Sequence, residues 1–139
     1  MFNTKQSNPA VSLHQPGDSI EGVIVSIEYR PEYTWANGKR TQTVRTDSKG
    51  RELQEAVITM LPDNYLHEVT LYVPGSRWRM VRAIQDAVKA AGASNLEEGG
   101  HLEVIRTGNE QAGNFEAGTY SARYAPFEEV ENKELAATF

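Results

Sequence analysis

Apolar and polar positions change period twice along this chain. Over residues 19–29 they alternate, with Val23, Val25, Ile27 and Tyr29 on one face and Glu21, Ser26 and Glu28 as polar relief. Alternation of this kind predicts a half-buried strand. Gly22 within it predicts a bend or bulge, as barrel strands often need. Asn37-Gly38 predicts a hairpin turn, because both residues tolerate positive φ. A second turn over residues 47–50 separates residues 41–46 from a strand over 55–61. Pro62-Asp63-Asn64 breaks that strand, and residues 68–73 make another.

After Pro74-Gly75-Ser76 the period becomes helical. Trp78, Val81, Ile84, Val88 and Ala91 recur at i, i+3 and i+4 spacing, which predicts an amphipathic helix over residues 77–91. Ser76 is its expected N-cap, Gly92 its C′ residue and Trp78 a core plug. Arg77, Arg79, Arg82 and Lys89 read as its solvated face. Alternation then returns: a turn over 97–100, a strand over 101–107, a Gly- and Asn-rich loop over 108–118 and a last strand over 119–125. Tyr120 and Tyr124 share a face of that strand and are expected in the core.

Several strands, one helix and two more strands predict an all-β fold with one helix. The best match is an OB-fold-like small barrel of five to six strands, its helix between strands three and four at the barrel bottom. Residues 1–15 read as a flexible lead-in, 16–126 as the OB-fold domain and 127–139 as an acidic tail.

Composition excludes several functions. A chain of 139 residues has room for one well-filled core. With no Cys, disulfides and thiolate chemistry are ruled out. The N-terminus lacks the apolar run of a secretory signal, and the longest apolar runs are too short to cross a bilayer. A soluble, cytoplasmic protein is expected. His14, His67 and His101 are isolated, with no second ligand at metal spacing, so no metal site is expected. No phosphate-cradling Gly-rich loop or nucleophile elbow is present, so neither catalysis nor a cofactor is expected.

Charge is distributed against its own balance. The chain carries a net −5, yet residues 29–51 hold six basic residues against two acidic, interleaved with aromatics. Cations hold phosphates, and flat rings give unpaired bases a stacking surface. Within this segment Tyr33 and Trp35 are the candidate stacking residues, and Arg30, Lys39, Arg40 and Arg45 the candidate phosphate contacts. Arg106, near the end of its strand, joins them, with Phe115 as a lesser stacking candidate. Tyr29 is excluded, because alternation puts it on the core face. The plain alternative is a solvated basic hairpin with Trp35 packed on the barrel rim.

These segments also resemble a known family. Gly17-Asp18-Ser19-Ile20-Glu21-Gly22-Val23-Ile24, Trp35-Ala36-Asn37-Gly38-Lys39 and Leu71-Tyr72-Val73-Pro74-Gly75 match it in order and spacing. So do Ala90-Ala91-Gly92-Ala93, Leu96-Glu97-Glu98-Gly99-Gly100-His101-Leu102-Glu103-Val104 and Tyr120-Ser121-Ala122-Arg123-Tyr124-Ala125-Pro126. Over residues 17–126 the chain is similar to the small OB-fold single-stranded DNA-binding proteins of actinobacterial phages and prophages, departing from them over residues 57–69. The resemblance implies sequence-tolerant binding of single-stranded DNA in replication or recombination, without catalysis or cofactor. The acidic tail ending in Phe139 resembles the tails through which bacterial single-stranded DNA-binding proteins recruit replication and recombination proteins; a solubilising tail is the alternative. A protein-interaction module (a virion component or an inhibitor of a host defence protein) and an RNA binder on the same barrel are the rival readings. A homo-oligomer stays open.

Overall fold

The computed structural model describes residues 8–127, along which the chain runs β1 (Ala10–Val11), β2 (Ser19–Pro31), β3 (Tyr33–Ala36), β4 (Lys39–Val44), β5 (Gln54–Pro62), β6 (Val69–Pro74), α1 (Trp78–Ala90), β7 (His101–Ala112) and β8 (Phe115–Ala125). The expected acidic tail, with Phe139, lies outside the described residues apart from Phe127.

β2 organises the rest. Its first part, Ser19 to Val23, pairs with β7, and from Gly22 onwards it pairs with β5. Gly22 therefore sits where both neighbours converge, and a Cβ there would lie 2.2 Å from the Leu61 carbonyl oxygen. Only a residue without a side chain lets the strands approach so closely. The bulge expected near Gly22 falls instead at Val25, where the register with β5 shifts between Ile24 and Ser26. The shift changes which side chains face inwards. Ile20, Gly22 and Ile24 are buried before it, and Ile27 packs on the core after it, so Val23 and Val25 do not share the core face with Ile27 as alternation alone predicts.

Six strands form one curled sheet in the order β1-β6-β5-β2-β7-β8, and β3-β4 form a separate two-stranded sheet. Without β1, the order 3-2-1-4-5 of the five barrel strands and the helix between the third and fourth are those of an OB-like small barrel. The sheet is a half-barrel, mostly β with a single helix. Its edge strands β1 and β8 do not pair with one another, so the barrel is open at that seam. α1 packs chiefly on β8 and also on β6. Met80, Ile84, Ala87 and Val88 form its buried stripe and meet Ile24, Ile58, Met60, Leu71, Leu102 and Val104 in one core. Burying each large aliphatic side chain stabilises the fold by roughly 1.5–3 kcal/mol.

Both helix ends carry sequence signals, and only one is built as expected. At the C-terminal end Gly92 N–H donates to the Lys89 carbonyl and Ala93 N–H to the Val88 carbonyl, the paired bonds of a Schellman motif. At the N-terminal end the cap is Arg77, with no side-chain hydrogen bond. Ser76 is not the N-cap, because its N–H and its hydroxyl both donate to the carboxylate of Glu32.

Two segments expected to be irregular are ordered. Residues 8–15 belong to the fold: the Pro9 carbonyl accepts from Thr70 N–H, β1 runs parallel to β6, and Leu13 is buried in the core. The expected loop over 108–118 is the continuation of β7 into β8, paired from Gly108–Thr119 out to Ala112–Phe115.

Candidate nucleic-acid interface

The basic, aromatic segment forms a β-hairpin that stands apart from the main sheet, rather than a loop followed by a barrel strand. Ala36 pairs with Lys39 and Trp35 with Arg40, which leaves Asn37-Gly38 as a two-residue turn. Both turn residues have positive φ, 53° and 76°, the type I′ geometry whose twist matches that of paired strands. Midway down, the Thr34 and Thr41 hydroxyls hydrogen-bond across the ladder at 2.6 Å.

The base of the hairpin is fastened by a buried carboxylate. Glu32 N–H donates to the Leu53 carbonyl, and Arg45 N–H donates to the Glu32 carbonyl. The Glu32 side chain accepts from Ser76 N–H at 2.9 Å and from the Ser76 hydroxyl, and its Oε2 lies 3.1 Å from Arg45 Nε. One acidic residue thereby joins β2, the end of β4 and the approach to α1. A buried charge persists only where donors surround it, as they do here.

With that frame in place the candidate residues sort themselves. Trp35 is 65% exposed. Lys39 and Arg40 are exposed, and among the described residues neither has a carboxylate partner. Arg40 lies 5.3 Å over the half-buried ring of Tyr33. These four side chains are gathered on one hairpin. Arg30 is committed elsewhere: its Nε and Nη2 both donate to Glu55 Oε1, and it lies 5.5 Å from the Tyr72 ring. Arg45 is committed to Glu32. In the second turn Arg51 pairs with Asp47 at 2.8 Å. The Arg51 amide first, then the Lys49 amide and the Arg51 guanidinium, hold the Asp47 carboxyl below its ordinary range against the opposing effect of desolvation.

Arg106 stands with another group, at the far hairpin. Its Nη1 donates to the Leu13 carbonyl at 2.8 Å and its Nη2 to Asn109 Oδ1 at 2.9 Å. The guanidinium lies 6.0 Å from the Tyr120 ring and so close under Gly118 that a Cβ there would be 2.7 Å from Nε. That Nε is buried without a hydrogen-bond partner. Beside it, a cleft of about 320 Å³ opens between the start of α1 and β8, lined among others by Arg77, Trp78, Phe115 and Tyr120.

Three aromatic expectations are revised by these positions. Trp78 is not a core plug: it is 52% exposed, with the Arg79 guanidinium 4.2 Å from its ring. Phe115 begins β8 rather than sitting in a loop, and is 66% exposed. Tyr29 is half exposed, because β2 has outrun the core at that point; it lines a cavity of about 720 Å³ with Ile58, Val88 and Leu96. That cavity's lining is mostly apolar, with Lys89 as its one cation. Tyr124 is buried and Tyr120 packs against the core, as the alternation of the last strand indicates.

His101 is not isolated either. Its Nε2 lies 3.0 Å from Asp63 Oδ2, and Glu21 brings a third ligand-type atom within 4.8 Å of both. A separation of 38 residues hides this contact in the sequence; it ties the start of β7 to the turn after β5. Among the described residues no helix is long and apolar enough to cross a membrane. No protein family, curated protein or solved structure matches the chain.

Proposed function

We propose that this protein binds single-stranded DNA without sequence preference, using the β3–β4 hairpin as its primary contact. The observation that carries the reading is the pairing of Trp35 with Arg40, one exposed ring and one uncompensated cation side by side, with Lys39 next to them. Stacking on an aromatic ring is indifferent to which base is stacked, and uncompensated cations hold a phosphate chain. The hairpin joins barrel strands one and two, a position from which OB-folds bind oligonucleotides. The likeness of residues 17–126 to phage and prophage single-strand binders supports a place in DNA replication or recombination, within a host cytoplasm.

Fluorescence anisotropy of a labelled oligo-dT strand tests the role of the ring. Trp35→Ala is expected to weaken binding by about 1–3 kcal/mol while leaving the salt dependence as it was. Unchanged affinity removes Trp35 from the interface.

The protein-interaction reading has an observation of its own. Tyr65 and Leu66, in the turn after β5, are 66% and 93% exposed, within the segment that departs from the family pattern. Exposed apolar tips of this kind suit a protein contact. If that contact is the chain's main business, the oligonucleotide titrations show no salt-dependent affinity.

A further inference from the structure

We propose that the cleft between the start of α1 and β8 is a second nucleotide subsite, which takes an unpaired base of the same single strand between Trp78 and Phe115. The inference rests on the single-strand reading above and names a contact surface distinct from the hairpin.

Three observations carry it. First, two large aromatic side chains, Trp78 and Phe115, both line the cleft and are both more than half exposed. Exposed aromatics that flank a cleft offer stacking platforms to a flat partner. At about 320 Å³ the cleft lies at the bottom of the range of ligand pockets, a size for one heterocycle rather than an extended molecule.

Second, the charge around it suits a phosphate-bearing ligand. Arg77, Arg79 and Arg106 border the cleft, and among the described residues only Arg79 has a carboxylate partner, Glu110. Arg106 is fixed at the cleft by its bonds to the Leu13 carbonyl and Asn109, so it contributes a positioned positive charge rather than a free donor.

Third, the cleft is coupled mechanically to the hairpin. Glu32, at the hairpin base, holds the N–H and the hydroxyl of Ser76, two residues before Trp78. Arg77, which among the described residues has no carboxylate partner, lies in the chain between that junction and Trp78.

The chain has two tryptophans, Trp35 and Trp78, so each can be made the sole reporter. In Trp35→Phe the remaining indole is in the cleft, and in Trp78→Phe it is on the hairpin. Oligo-dT is titrated into each protein while tryptophan emission is followed, with anisotropy of the labelled strand read in parallel. Saturable quenching in Trp35→Phe, together with roughly a 5- to 150-fold loss of affinity in Phe115→Ala, supports the cleft subsite. Quenching in Trp78→Phe alone overturns the subsite and leaves the hairpin reading standing. Absence of quenching and of anisotropy change in both proteins overturns the two together. Circular dichroism of Phe115→Ala, compared with the parent, separates lost binding from lost folding; a folded Phe115→Ala that binds as the parent does also counts against the subsite.

Discussion

Glu32 shows how much one side chain can decide. Along the sequence it is one of two acidic residues that dilute a basic stretch; in the structure it is the buried pin that sets the hairpin on the barrel. No local signal marks it, because its partner Ser76 is 44 residues away. Trp78 departs from its expected place for a different reason. Steps of three residues drift by about 60° each around a helix, so a stripe traced Trp78–Val81–Ile84 leaves the true buried face at Met80, Ile84, Ala87 and Val88. Tyr124 is legible in the sequence, and it carries a prediction. Burial pushes its phenol above the ordinary 10.0, opposed by the Glu97 amide that donates to its oxygen and reinforced by the Glu97 carboxylate. Its folded pKa exceeds the unfolded one, so this contribution to stability is complete below pH 10 and is lost as pH rises through the raised value. Tyr124→Phe should flatten that alkaline fall in urea-unfolding free energies. At neutral pH it should cost about 0.5–1.5 kcal/mol, the usual worth of one hydrogen bond, because Glu97 is exposed and its N–H can turn to water. An identical alkaline fall in both proteins contradicts the assignment.

At the scale of elements, turn chemistry and period are reliable guides and strand limits are not. Asn37-Gly38, the turn closed by Gly50 and the Gly92 helix stop all lie where local residue chemistry puts them. The extension of β7 and β8 is hidden by Gly108, Gly113 and Gly118, residues that speak against a strand until the pairing partner is known. The hairpin β3–β4 is legible as a turn flanked by cations and rings. Its separation from the main sheet is not, since that depends on the tertiary bonds of Glu32. The prediction at this scale concerns how phosphates are held. Lys39→Ala combined with Arg40→Ala should lower the slope of log affinity against log salt by roughly 0.7 for each phosphate that the variant no longer neutralises. An unchanged slope places the phosphates elsewhere.

For the whole molecule, the order of elements is enough to identify an OB-like barrel, because the one helix falls between the third and fourth barrel strands. The open seam between β1 and β8 is not readable, since closure depends on pairing between strands far apart in the chain. Charge at this scale argues against nucleic acid, with a net −5 on the full chain. The distribution answers that objection: residues 127–139 carry four Glu and one Lys, so the rest is close to neutral, and among the described residues Lys39 and Arg40 on the hairpin and Arg77 and Arg106 at the cleft have no carboxylate partner. Local field rather than total charge governs binding within a Debye length of about 8–10 Å. The most direct test is to titrate the full chain against labelled oligo-dT and against a duplex of equal length, each at several salt concentrations. The account predicts salt-dependent binding that strongly favours the single strand. Equal binding to both, or binding to neither, contradicts it.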